Sequence, residues 1–166
     1  WGVFRMFERD DARYLFSREI KELIIPKENV ITVDPEWSLE RALLVLTRRQ
    51  TSSVPVINRL GQVEGLISKT GILDFMLHHS RDNQSFDFSG LSKHKVKEAM
   101  DRNHQGIMAN SIFSFAFEIL INRSYIPIID EKTKFIGILT RKVLMEKVIE
   151  YFQQEYLEIV GKRKEG

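Results

Sequence analysis

The strongest constraint on this chain is a duplication. Pro55 and Pro127, Gly65 and Gly137, and Ser68 and Thr140 stand in the same order at one spacing of 72 positions (127 − 55, 137 − 65, 140 − 68). A further segment, Ile20-Lys21-Glu22-Leu23-Ile24, is echoed by Val96-Lys97-Glu98-Ala99-Met100 at a spacing of 76 (96 − 20). Several anchors in one order, with length changes confined to loops, identify a repeated structural unit. A unit of about sixty residues cannot bury both faces of its own small sheet, so two copies are expected to pack against each other.

Within the first copy, the β-branched run from Asn29 to Asp34 predicts a strand. A helix follows from Leu39 to near Arg49, capped by Ser38, with Leu39, Ala42, Leu43 and Leu46 on its buried face. Val54–Ile57 and Val63–Ile67, joined by the short turn Asn58–Gln62, predict a hairpin, and a second helix runs from Lys69 to His79. In the second copy, Ile112, Phe115, Ala116, Ile119 and Leu120 form the expected buried stripe of the first helix, leaving Phe113 and Phe117 off it. Apolar residues from Tyr14 to Ile24 at helical spacing predict an N-terminal helix from Asp10 to Ile25, ended by Pro26. Polarity rises and periodicity vanishes from Ser80 to Lys93, a linker or surface loop. The last helix extends past its counterpart to Val160, before the basic end Lys162-Arg163-Lys164. The expected division is a lead-in over 1–25, a first repeat over 26–80, a linker over 81–93, a second repeat over 94–152, and a helix end with basic tail over 153–166. The fold class is α/β: two β-α-β-β-α repeats packed with pseudo-two-fold symmetry, plus N-terminal and extended C-terminal helices.

The chemistry concentrates where the second hairpin strand runs into its helix. Ser68 and Thr140 are N-cap residues at these two junctions, and the unsatisfied first-turn N–H groups with the helix dipole favour an anion there. Arg141 and Lys142 add two full charges to the later junction, and cations are mildly unfavourable at a helix start unless an anion is bound. A phosphate is the expected occupant. Arg48-Arg49, at a helix end, complement the dipole and read as structural.

Elsewhere, composition excludes more than it suggests. With 166 residues and 43% apolar content the chain can build a core without metal or disulfide support, and it has no cysteine. The balance of 25 Lys+Arg against 23 Asp+Glu gives no global attraction to nucleic acid or membrane, and no apolar run approaches a membrane span, so a cytoplasmic protein is expected. His78 and His79 point to different sides of a helix, and His94 and His104 have no ligand spacing, so no metal site is expected. Gly65-Leu66-Ile67-Ser68-Lys69-Thr70 lacks the glycine-rich loop of a nucleotide-binding P-loop, and no nucleophile elbow or zinc-protease helix occurs. The chain is not expected to be an enzyme.

The pattern apolar-Pro-apolar-apolar-Asn/Asp, a turn, then x-Gly-apolar-apolar-Ser/Thr appears as Val54-Pro55-Val56-Ile57-Asn58 with Glu64-Gly65-Leu66-Ile67-Ser68, and again as Ile126-Pro127-Ile128-Ile129-Asp130 with Ile136-Gly137-Ile138-Leu139-Thr140. It resembles the tandem CBS (cystathionine-β-synthase) domain pair, or Bateman module, over roughly Ile20 to Tyr151, which implies a stand-alone pair. Ala42-Leu43-Leu44-Val45-Leu46-Thr47 and Gly137-Ile138-Leu139-Thr140-Arg141-Lys142-Val143 are similar to the cyclic di-AMP-binding CBS proteins of Gram-positive bacteria, the CbpB type. That resemblance implies one ligand site combining Asn29, Val30, Ile31 and Val33 with Ser52, Ser53, Val54 and Pro55 and with Thr140, Arg141 and Lys142. It implies a possible second site combining Ile107 and Met108 with Ser124, Tyr125 and Pro127 and with Ser68, Lys69 and Thr70. Many nucleotide-binding CBS units hold the ribose with an Asp three residues after the junction hydroxyl. Here those positions are Gly71 and Val143, which disfavours AMP, ADP or ATP. The CbpB type has two arginines where this chain has Arg141-Lys142, so one bidentate fork is replaced by a point charge.

The resemblance implies a non-enzymatic cyclic di-AMP receptor with no cofactor, regulating a protein partner such as a Rel-type (p)ppGpp synthetase. The alternatives are an adenine mononucleotide or S-adenosylmethionine sensor and a ligand-free dimerisation module. A homodimer is expected because Phe113, Phe117 and the long helix from Arg141 to Val160 supply more apolar surface than one pair covers.

Overall fold

The computed structural model describes residues 15–80, 87–104 and 106–164. The expected helix start at Asp10 to Tyr14 and the loop at 81–86 lie outside them. The elements are β1 (Ile25–Pro26), α1 (Leu39–Arg48), β2 (Ser53–Ile57), β3 (Val63–Ser68), α2 (Lys69–His78), α3 (Val96–Ala99), β4 (Ile107–Met108), α4 (Phe113–Leu120), β5 (Tyr125–Ile129), β6 (Phe135–Thr140) and α5 (Arg141–Lys164). β2 and β3 form one sheet and the other has the order β1-β6-β5-β4. The described residues divide into a larger compact unit, 26–80, 87–104, 106–108 and 127–137, and a smaller one, 15–25, 109–126 and 138–164.

In the larger unit, β2 and β3 form the expected antiparallel hairpin, with Val54 opposite Ile67 and Val56 opposite Gly65. Leu39, Ala42 and Leu46 of α1 and Ile72 and Met76 of α2 pack against Val54, Val56 and Ile67 in one core. A fully buried side chain of this size contributes about 1.5–3 kcal/mol. Ser38 Oγ accepts from Arg41 N–H at 3.2 Å and caps α1. The stretch expected as a linker contains a 3-10 turn, Phe88–Ser92, whose Leu91 enters this core.

The lead-in of the second repeat packs on the helix of the first. Leu39 N–H donates to His94 O at 2.9 Å and Val96 N–H to Trp37 O at 2.8 Å. Lys95 and Lys97 Nζ donate to the two oxygens of the Glu36 carboxylate at 2.6 and 2.8 Å, which lowers its pKa from 4.5 to about 2. Asp101 then exchanges both backbone hydrogen bonds with Leu66, at 2.9 and 2.8 Å. A Cβ on Gly65 would stand 2.3 Å from Asp101 O, so this motif glycine is required by the crossing strand. The smaller unit repeats the arrangement with the copies exchanged: Phe113 N–H donates to Arg18 O at 2.8 Å and Ile20 N–H to Ser111 O at 3.0 Å. Each lead-in therefore belongs, in space, to the other copy. Gln62 and Lys134, equivalent positions of the two hairpin turns, also bridge each other in the larger unit, as expected of a pseudo-two-fold relation.

Three expectations change. The single helix over 10–25 is replaced, in its described part, by helical residues 15–17, a bridge at Glu19, a 3-10 turn Lys21–Leu23 and β1. The N–H and C=O groups around Glu19 serve the lead-in bridge to Ile112 and cannot also close a helix. The strand from Asn29 to Asp34 contracts to one parallel bridge, Val33 with Val56, after a 3-10 turn Lys27–Asn29. Val33 N–H donates to Pro55 O and Ile57 N–H to Val33 O, but the next rung toward Ile31 needs an N–H that Pro55 lacks. Asp34 Oδ1 accepts from Glu36 N–H and turns the chain away on the other side.

The buried face of α4 is Phe113, Ala116 and Leu120, not the stripe through Ile112 and Phe115, which are 44% and 48% exposed. These buried positions match Leu39, Ala42 and Leu46 of α1 at a spacing of 74 (113 − 39, 116 − 42, 120 − 46). Phe113 stacks on Phe117 and meets the edge of Phe16, with ring centroids 6.2 and 5.9 Å away. Phe113 is thus core and offers no surface for dimerisation.

Candidate ligand site at the strand–helix junctions

In the smaller unit, β6 passes directly into α5. Thr140 Oγ1 accepts from Val143 N–H at 3.1 Å, the expected cap. Arg141 N–H donates to Ser124 O at 2.8 Å, tying the junction to the start of β5. The Arg141 guanidinium turns toward the end of α4. Its Nε donates to Leu120 O at 2.7 Å and Arg123 O at 3.1 Å, and Nη2 lies 3.4 Å from Ile121 O. Lys142 is 84% exposed and 3.9 Å from the Glu146 carboxylate, a solvent-screened pair that leaves its ammonium available.

In the larger unit, Ser68 Oγ accepts from Gly71 N–H at 2.9 Å, and Lys69 N–H donates to Ser52 O at 3.0 Å. Ser53 stands opposite Ser68 in the hairpin register. The half-buried Lys69 side chain makes no hydrogen bond or ion pair among the described residues, and Thr70 is exposed. A Cβ on Gly71 would stand 3.0 Å from Ser68 Oγ, so an acid at that position would crowd the cap.

Both junctions thus share one frame at a helix start: a hydroxyl cap that takes the third N–H and a backbone bond from the first N–H to the segment before the proline. That frame suits an anion. It also joins Ser52 to Lys69 and Ser124 to Arg141, each within one repeat. Of the remaining residues, Asn29 is exposed, Val30 and Ile31 are half-buried, and Val33, Val54 and Pro55 are buried, all in the larger unit, whereas Thr140, Arg141 and Lys142 belong to the smaller. For the second grouping, Ile107 and Met108 pair in parallel with Ile128 and Ile129 next to the buried Pro127 in the larger unit. Ser124 and the buried Tyr125 are in the smaller. A cleft of about 700 Å³ in the larger unit is lined by Lys27, Glu28, Thr32, Ile57, Arg59 and Lys134 among others. It adjoins the Asn29–Val33 segment and contains none of the expected ligand residues.

Sequence reasoning missed the partners of Arg141. A signal existed: Leu46 to Ser52 spans six positions, whereas Leu120 to Ser124 spans four (52 − 46, 124 − 120). α1 uses its longer connection to seal itself. Gln50 adopts the left-handed conformation at φ 53°, Gln50 N–H donates to Thr47 O and Thr51 N–H to Leu46 O at 3.1 Å. The shorter connection after α4 has no such turn, and Leu120 O, the equivalent of Leu46 O, is met by Arg141.

A model of the CBS domain family, described as "CBS domain", matches residues 20–78 and 96–150. In sequence the chain is 25% identical to cyclic di-AMP receptor B of Bacillus subtilis over 134 residues, covering 81% of this chain and 88% of that protein. Among solved structures it is similar to a CBS domain-containing protein of unknown function from Bacillus anthracis, with 29% identity, a TM-score of 0.74, and 84% and 98% of the two chains covered. It is similar also to the CbpB protein of Listeria monocytogenes in complex with c-di-AMP, with 28% identity, a TM-score of 0.74, and 82% and 99% covered. The chain belongs to the CBS domain family and carries the domain twice.

Proposed function

We propose that this protein is a non-enzymatic cyclic di-AMP receptor that acts in the cytoplasm and changes its affinity for a regulated protein with occupancy. The observation that carries the reading is the junction Thr140-Arg141-Lys142, where a capped helix start carries an arginine and a solvent-exposed lysine in succession. The relatives named for cyclic di-AMP support the choice of ligand. Gly71 and Val143, in place of an acid that would hold a ribose, favour the dinucleotide over AMP, ADP, ATP or S-adenosylmethionine. The ligand residues that the family resemblance implies are Thr140–Lys142 in the smaller unit and Asn29, Val30, Ile31, Val33 and Ser52–Pro55 in the larger. The twin grouping, built on Lys69, fills less readily because it offers one cation.

The receptor is a homodimer in this reading, with a Rel-type (p)ppGpp synthetase as the class of partner the resemblance implies. Met145, Ile149, Phe152 and Tyr156 lie exposed along α5 at alternating spacings of four, three and four, which lines them on one stripe suited to a second helix. Titration of the purified protein with cyclic di-AMP, AMP, ATP and S-adenosylmethionine, with light scattering of the same samples, tests the reading. Cyclic di-AMP should bind most tightly and the mass should be that of a dimer. Tighter binding of AMP, or no binding of any of the four, would reject the receptor assignment.

A further inference from the structure

We infer that the end of α4 is the element through which ligand occupancy is transmitted, with Arg141 as the switch. The inference rests on the proposed reading that Arg141 meets the ligand phosphate. The Nε and Nη2 edge of Arg141, the edge suited to a two-pronged bond with an anionic group, is engaged with the carbonyls of Leu120, Ile121 and Arg123. These are neutral acceptors. The bonds to them are charge-assisted on the donor side alone, whereas a phosphate carries charge on the acceptor side as well, so an arriving phosphate is the stronger partner for this edge and displaces the carbonyls.

The consequence falls on α4 because Leu120 O, unlike Leu46 O, receives no closing backbone N–H among the described residues. Leu46 O in the first repeat keeps its bond from Thr51 N–H whatever happens at Lys69, whereas Leu120 O depends on Arg141. Leu120 is 2% exposed, so its carbonyl cannot simply turn to water and the last turn must loosen or reorganise. Ile121, 62% exposed, stands at this end, so the change is presented at the surface. Arg141 is therefore both a ligand contact and a positioning residue for α4.

Hydrogen exchange of the intact protein, read at the amides of Ile121 and Asn122, which bond to Phe117 O and Ile119 O, tests this. Saturating cyclic di-AMP should speed their exchange about ten-fold or more, the change expected when one cap-strength interaction is withdrawn. The amides of Arg49 and Gln50 should be unaffected. In Arg141→Ala the Ile121 and Asn122 amides should exchange fast without ligand and gain nothing from it; Arg141→Lys, the milder change, should be intermediate. A chimera with Thr47–Thr51 in place of Ile121–Arg123 should bind cyclic di-AMP but lose the ligand-driven exchange. If wild type binds cyclic di-AMP while exchange at Ile121 and Asn122 is unchanged or slowed, the switch is overturned and the receptor reading stands. If titration of the same sample shows no binding, both fall.

Discussion

The two first helices, α1 and α4, bury equivalent residues and end differently. Leu39, Ala42 and Leu46 find their counterparts in Phe113, Ala116 and Leu120, so the inward faces answer to the same packing demand. Beyond that last buried leucine the copies diverge by two residues, and the loss removes the left-handed turn with which α1 closes on itself. The unclosed carbonyl of Leu120 is taken over by a side chain from the next junction. A duplicated fold can thus keep both cores while making one helix end independent and the other contingent on a residue suited to bind phosphate.

The largest test of this comparison concerns the shared face. Phe113→Ala should cost about 3–5 kcal/mol in chemical denaturation, while Phe115→Ala, on the exposed side, should stay within about 0.5 kcal/mol. Equal costs would mean that α4 is turned differently from α1. Next comes the contingent end. Arg141→Ala should destabilise the ligand-free protein by about 1–2 kcal/mol by leaving Leu120 O unmet, and Lys69→Ala by much less, since its side chain closes nothing among the described residues. Thermal unfolding of the two variants side by side reads the difference.

Smaller again is the effect at the self-sealed end. Gln50→Gly should stabilise by about 1 kcal/mol or less, because glycine adopts the left-handed conformation without penalty, whereas Asn122→Gly should not stabilise. If both variants behave alike, the two helix ends do not differ as described. The smallest effect is electrostatic. Glu36 is ionised well below its ordinary 4.5, at about 2, because Lys95 and then Lys97 hydrogen-bond its carboxylate. Its lowered value means that the contribution to stability is present above pH 4.5 and is lost as pH falls from 4.5 toward 2. The second repeat has Asn110 at the equivalent place. Exchange at Val96 should therefore rise in acid before exchange at Ile20, and Glu36→Gln should remove that difference.

The repeat, the hairpin of the first copy, the capped helix starts and the α/β class were readable because each depends on local pattern: alternation, a short turn, a hydroxyl before a helical run. What escaped the sequence depends on partners far along the chain. The lead-ins exchange between copies, so the helical spacing of the run expected over Asp10 to Ile25 gives way, in its described part, to a bridge from Glu19 to Ile112. The strand at Asn29–Asp34 has strand-forming residues but meets a proline where the ladder needs a donor. On α4 nearly every position is apolar, so periodicity alone could not choose a face; the register of α1 would have chosen correctly. The junction hydroxyls and the charge of Arg141 and Lys142 were legible, while the second role of Arg141 required knowing how α4 ends.

The central claim is that a phosphate of cyclic di-AMP is held at Thr140-Arg141-Lys142, and calorimetric titration of wild type, Arg141→Ala and Lys142→Ala tests it most directly. Removal of a charge-assisted bond costs roughly 1.5–3 kcal/mol, so Arg141→Ala should weaken cyclic di-AMP binding by about ten- to a hundred-fold. Lys142→Ala should cost less, and the Arg141→Ala effect should shrink as salt rises. An Arg141→Ala protein that binds cyclic di-AMP as tightly as wild type would contradict the claim.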